Sequence, residues 1–168
     1  MPRVYDTAEL LAPTVPALLM PSRYAESGRA VVGHCFQGYN SCIFAYGQTG
    51  SGKTHTMLGE LAENFTICAN SGLMPRIFDH LLREMHRRSE AADANEELKF
   101  ACHVSMLEVY KETVMDLFHP EACNLDIRED ALHGTYVDGL SKQEVTSRAA
   151  IQSCLTRSRP NWCDAVVD

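Results

Sequence analysis

The chain has 168 residues, of which 45% are hydrophobic, which is enough for one domain with a real core and short for two independent ones. Its formal charge of −7 supplies no global basic field, which argues against nucleic acid and anionic lipid as partners. The seven cysteines (35, 42, 68, 102, 123, 154 and 163) are odd in number and include no C-x-x-C pair, favouring reduced intracellular thiols over a disulfide framework or a zinc site.

Residues 1–22 hold three prolines after Pro2 and no clear period, and read as a divergent lead-in. The apolar run from Leu10 to Met20 is short, is broken by Pro13 and Pro16, and follows Asp6 and Glu9, so it suits neither a signal peptide nor membrane insertion. The expectation is a soluble, cytosolic chain. Tyr24, Val31, Val32, Cys35 and Phe36 can share one helical face, with Ser22 as N-cap, Gly38 placed to end the helix, and Gly28 weakening its middle.

Cys42 to Tyr46 is a continuous apolar run of the kind carried by a strand covered on both faces. It leads directly into Gly47-Gln48-Thr49-Gly50-Ser51-Gly52-Lys53-Thr54, which satisfies G-x-x-x-x-G-K-[ST], the phosphate-binding loop. Glycines permit turns that side chains block, successive N–H groups then converge on an anion, and a helix starting near Gly52 adds the positive end of its dipole. In this arrangement Lys53 reaches the outer phosphates and the Thr54 hydroxyl ligates Mg²⁺. A Gly-rich surface turn ending in an accidental Lys-Thr is the alternative, but strand, loop and helix follow in the order the chemistry requires.

Residues 61–72 carry no period and read as a loop. Pro75 suits the first turn of a helix whose apolar face is Met74, Ile77, Phe78, Leu81, Leu82 and Met85. Arg83, Arg87 and Arg88 collect near its C-terminal end, either as a contact for an acidic partner or as a solvated end balancing the helix dipole. Ser89 to Glu97 is a polar, acidic loop. Leu98, Phe100, Cys102, Val104 and Met106 alternate with more polar residues, the period of a strand with one dry face, while Leu107 and Val109 break phase and predict a bulge or burial on both faces. Val114, Met115, Leu117 and Phe118 are spaced for one or two helical turns over 112–118. Leu125, Ile127, a His133-Gly134 turn, Tyr136 and Val137 predict a hairpin. Ser147 can cap a last helix with the face Ala150, Ile151, Cys154 and Leu155, stopped by Pro160. Cys42, Cys102 and Cys154 lie on apolar patterns and predict core packing, and the histidines at 34, 80, 86, 103, 119 and 133 have no ligand-like spacing.

Several of these stretches carry a family resemblance. Gly38-Tyr39-Asn40 and the run from Cys42 to Met57 resemble the nucleotide-binding segment of the kinesin motor domain. Gly72-Leu73-Met74-Pro75-Arg76-Ile77-Phe78, Val104 to Tyr110, Asp116-Leu117-Phe118 and Tyr136 to Ser141 follow in the family's order. The stretch from Ile127 to Ser141 is most similar to the kinesin-3 type. The resemblance spans residues 23–157, leaving 158–168 as a divergent tail. It implies an α/β, P-loop NTPase fold, here partial, with a mixed sheet and flanking helices. It further implies that Gly47, Gln48, Thr49, Gly50, Ser51, Gly52, Lys53 and Thr54 wrap the phosphates of ATP, that Thr54 holds Mg²⁺, and that His55 lies near the adenine. The implied partner is the microtubule, the location cytoplasm and cytoskeleton, and the hairpin at 125–139 contributes tubulin contacts, with Arg128 as one candidate.

Some family stretches have no counterpart. The Arg-x-Arg-Pro strand beside adenine is missing, as are Asn-x-x-Ser-Ser-Arg-Ser-His and Asp-Leu-Ala-Gly-Ser-Glu, the switches that position water and sense the γ-phosphate. Ala165 to Asp168 only superficially resembles a Mg²⁺-holding segment. The resemblance therefore implies binding groups without those that complete hydrolysis. It also places both neighbours of the strand at 41–46 in unmatched segments, leaving backbone groups unpaired at roughly 1–3 kcal/mol each. A non-catalytic nucleotide- or partner-binding chain is the main alternative. A small-molecule kinase would leave the matches after Gly72 unexplained.

Overall fold

The computed structural model describes residues 24–61, 65–91, 98–131 and 134–158. The expected Ser22 cap, the Pro160 stop, the lead-in 1–22, and all of the tail except Ser158 lie outside them. The chain divides into two units, Met1–Phe100 and Ala101–Asp168.

In the first unit a π-helical turn, Tyr24–Gly28, runs into helix α1, Arg29–Phe36. Val32 is the buried residue of the expected face, whereas Cys35 is exposed. Gly38 ends the helix as expected, with φ of 79° and its N–H donating to the Cys35 carbonyl at 3.2 Å. Helix α2 is Lys53–Met57 and helix α3 is Leu73–Glu90. Leu73 and Pro75 bury the start of α3, and Arg88 lies 4.2 Å over the Phe36 ring, joining α3 to α1. The basic end of α3 is internally paired: Arg83 bonds the buried Asp79, while Arg87 and Arg88 both reach Glu84, at 2.7 and 2.8 Å. The hydrogen bonds from Arg87, then those from Arg88, hold the Glu84 carboxyl down to about 2.

The strand expected at 41–46 does not form. No described strand lies alongside it to supply ladder hydrogen bonds, and Phe44 is 63% exposed rather than covered. Cys42, expected in a core, is exposed for the same reason.

The second unit holds three two-stranded antiparallel ladders. Strand β1 (His103–Val104) pairs with β6 (Gln143–Glu144), β2 (Leu107–Tyr110) with β3 (Thr113–Asp116), and β4 (Ile127–Asp130) with β5 (Gly134–Val137). The expected hairpin at 125–137 is therefore present. The helical turns expected at 112–118 are instead β3 and the bend after it. Lys111 and Glu112 take φ of 47° and 64°, a tight turn of the hairpin type that folds β3 back on β2 despite the absence of glycine. Of the strand expected over 98–106 only His103–Val104 forms; Val104 is buried, Cys102 and Met106 are half-buried, and Leu98 is exposed. No bulge occurs at Leu107 or Val109: both pair one to one with β3, and their side chains are exposed.

Helix α4, Arg148–Ser158, starts at the expected cap, with the Ala150 N–H donating to the Ser147 hydroxyl at 3.2 Å, and buries Ile151, Cys154 and Leu155. Asp116, at the end of β3, is 1% exposed. Its carboxylate accepts from the N–H of Phe118 and of Ser141, both at 2.8 Å, and from the Ser141 hydroxyl at 2.5 Å. Burial pushes that carboxyl up, but the Ser141 and backbone hydrogen bonds outweigh it and the net shift is downward.

Candidate functional site: the glycine-rich loop

The loop from Gly47 to Gly52 owes its path to backbone conformations that side chains resist. Gly47, Gly50 and Gly52 have φ of 147°, 79° and 90°. A Cβ at Gly47 would also sit 2.6 Å from the Ser51 hydroxyl. The turn is closed by the Ser51 N–H donating to the Gln48 carbonyl at 3.1 Å, and Gly52 is the N-cap of α2.

Lys53 folds back over this loop. Its ammonium donates to the carbonyls of Gly47 at 2.7 Å and Gln48 at 3.0 Å. The positive charge is thereby tied to the loop's own carbonyls. Beside it the Ser51 hydroxyl is buried with no hydrogen-bond partner among the described residues. An unsatisfied buried hydroxyl, a held ammonium and a helix start whose first N–H groups have no intrahelical acceptor together suit an anion. Because α2 has only five residues, those amide donors count for more than any macrodipole. Gln48, Thr49 and Gly50 are exposed at the loop's tip, and Thr54 and His55 are exposed on the first turn of α2. The loop thus gathers Gly47, Gln48, Ser51 and Lys53 through direct contacts, with Thr54 and His55 adjacent along the helix. The chemistry of the set fits a polyphosphate with a hard cation, since it offers amide and ammonium donors with one free-standing hydroxyl.

The far end of α2 is pinned in a way the sequence did not announce. Gly59 forms an antiparallel bridge with Ser71, the Glu60 N–H donates to the Asn70 carbonyl at 3.0 Å, and the Gly72 N–H donates to the Leu58 carbonyl at 2.9 Å. A Cβ on Gly59 would run into the Asn70 carbonyl, and one on Gly72 would lie 2.6 Å from the Met57 carbonyl. Within the segment expected as a plain loop at 61–72, residues 70–72 therefore lie back against the chain leaving α2. Its turn is held by Arg76, which lies in the Gly72 to Phe78 stretch that carries the resemblance.

Among the described residues no group of three or more His, Cys, Asp or Glu could hold a metal, and no helix is long and apolar enough to cross a membrane. Arg128, the candidate tubulin contact, is ion-paired to Asp138 at 3.1 Å and Asp126 at 3.5 Å.

The model of the kinesin motor domain matches residues 16–162. The chain is 48% identical over 129 residues to the rice (Oryza sativa subsp. japonica) kinesin-like protein KIN-12G, covering 75% of this chain and 10% of that protein. It is 46% identical over 136 residues to KIN-12D of Arabidopsis thaliana, covering 80% and 5%. A solved structure of a fast kinesin, described with its ATPase mechanism and interactions with microtubules, superposes with a TM-score of 0.73 at 30% identity, over 84% of this chain and 37% of that one. The chain thus spans about a tenth or less of these two relatives. Relatives named KIN-12 do not support the kinesin-3 likeness read between Ile127 and Ser141; short hairpin similarity is a weaker guide to subtype than identity across more than a hundred residues. With the match running through the glycine-rich loop and most of both units, the chain belongs to the kinesin motor-domain family.

Proposed function

We propose that residues 47–54 bind the phosphates of ATP with Mg²⁺, and that the chain is the nucleotide-binding part of a microtubule motor of the cytoskeleton. The observation that carries this reading is the Lys53 ammonium held over the glycine turn beside the unsatisfied Ser51 hydroxyl. Lys53 needs only to exchange two carbonyl acceptors for phosphate oxygens, and hydrogen bonds between two charged partners are the stronger. In this reading the N–H groups of Gln48 to Lys53, apart from that of Ser51, which closes the turn, line the phosphates, the Thr54 hydroxyl is the protein's ligand to Mg²⁺, and His55 flanks the base. Mg²⁺ supplies charge neutralisation on the phosphates when bound.

Hydrolysis is a separate matter. The two switch stretches of the family do not occur in these 168 residues, so we read them as sufficient for binding and not for turnover. Binding of a fluorescent ATP analogue tests the first part. Lys53→Ala is expected to weaken it roughly 10- to 100-fold, the equivalent of about 1.5–3 kcal/mol for hydrogen bonds to a charged group. Equal affinity in the variant would overturn the assignment. Phosphate release with and without microtubules tests the second part, and turnover that disappears in Lys53→Ala would refute it.

A further inference from the structure

The phosphate loop runs into α2, a helix of five residues that is too short to hold its own position. Its exit is tied to the strip at 68–72 through the Gly59–Ser71 bridge and the bonds from Glu60 and Gly72. That strip has no strand or helix of its own. Its carbonyls converge on one side chain: Arg76 donates through Nε to the Ser71 carbonyl at 3.0 Å and through Nη2 to the carbonyls of Cys68 at 2.7 Å and Ala69 at 3.2 Å. Ser71, fully buried, completes the strip by donating to the Glu60 carbonyl at 3.3 Å and accepting from the Cys68 N–H at 3.0 Å.

We propose that Arg76 is a positioning residue for the phosphate loop: by holding three carbonyls of the 68–71 turn, it fixes the strip that clamps the end of α2 and so the register of Lys53 and Thr54. This rests on the reading of residues 47–54 as the nucleotide site. Arg76 sits on the first turn of α3, so the clamp also ties the loop to the longest helix of its unit. A lysine could supply the charge but not the planar fork that reaches three oxygens in one plane of donors.

The test compares Arg76→Ala, Arg76→Lys and, as a control on the same helix, Arg83→Ala, which removes an ion-pair partner of buried Asp79 without touching the strip. Affinity for a fluorescent ATP analogue, thermal stability and hydrogen exchange at the Glu60 and Gly72 amides are measured on the full chain. The expected result is a loss of affinity of about tenfold in Arg76→Ala, consistent with a small misplacement of a binding group. Partial recovery in Arg76→Lys and faster exchange at both amides are expected with it. Arg83→Ala should lose stability while keeping affinity and exchange. Affinity falling in proportion to stability in both Arg76→Ala and Arg83→Ala would overturn the proposal, because the effect would then be general. Unchanged affinity and exchange in Arg76→Ala would overturn the clamp while leaving the nucleotide site intact. Should the wild-type chain bind no nucleotide, the reading of the site fails and the positioning role fails with it, whatever the exchange data show.

Discussion

At the scale of single residues, two positions carry more than their size suggests. Gly59 has φ of 61° and meets the Asn70 carbonyl where a Cβ would stand, so Gly59→Ala faces both a strained backbone and a clash. It is expected to destabilise the chain by about 1–3 kcal/mol in denaturant titration. Asp116 is the second. Its folded-state carboxyl is depressed, so the stability it contributes is present above its unfolded value near 3.9 and is lost as pH falls through the lower folded value. Acid unfolding of the wild type should therefore show a component that Asp116→Asn lacks. At neutral pH that variant, which turns an amide N–H₂ toward groups that donate, should cost roughly 1–3 kcal/mol. Neither role was legible in the sequence. The Asp116 and Ser141 side chains meet across 25 residues, and nothing local to Asp116-Leu117-Phe118 says that its acceptor capacity is spent on a distant serine.

Elements divide according to how local their signals are. Helix α4 was legible because Ser147 and the spacing of Ile151, Cys154 and Leu155 act within a few residues of one another. Ser147→Ala should cost about 1 kcal/mol, read by chemical denaturation, as loss of one cap does. Helix α3 was equally plain. Its arginines, open to two readings in the sequence, are paired to Asp79 and Glu84 within one turn, and no described contact reserves them for an acidic partner. Strand β3 was misread as helix because Val114, Met115, Leu117 and Phe118 satisfy a helical period, while the turn preceding it uses Lys111 and Glu112 at positive φ in place of Asn-Gly. Its pairing with β2 decides the matter, and pairing is not a property of either strand alone. The apolar run at 41–46 shows the converse: β-type composition with no described strand beside it gives no strand.

For the whole molecule, the family assignment ties binding to stability. A ligand that binds only the folded chain raises its stability, by about 2.7 kcal/mol at a concentration one hundred times the dissociation constant. ATP with Mg²⁺ should therefore raise the melting temperature of the wild type and not of Lys53→Ala, measured by calorimetry. The exposed apolar side chains Phe44, Val109 and Ile127, each 61–63% exposed, mark surface that favours association. Light scattering on warming is expected to fall in a Phe44→Ser, Val109→Thr double variant.

The glycine-rich loop was determined by the sequence itself, because its signals lie in contiguous residues: glycines that permit positive φ, a lysine and a threonine at fixed offsets, and a helix start. The same locality made α3, α4 and the β4–β5 hairpin readable. Only the tertiary structure decided the contacts between residues far apart in the chain. The Arg76 carbonyl contacts, the Gly59–Ser71 bridge and the Asp116–Ser141 pair join residues whose chemistry is ordinary in isolation, and whose effect arises from backbone groups brought within about 3 Å by folding.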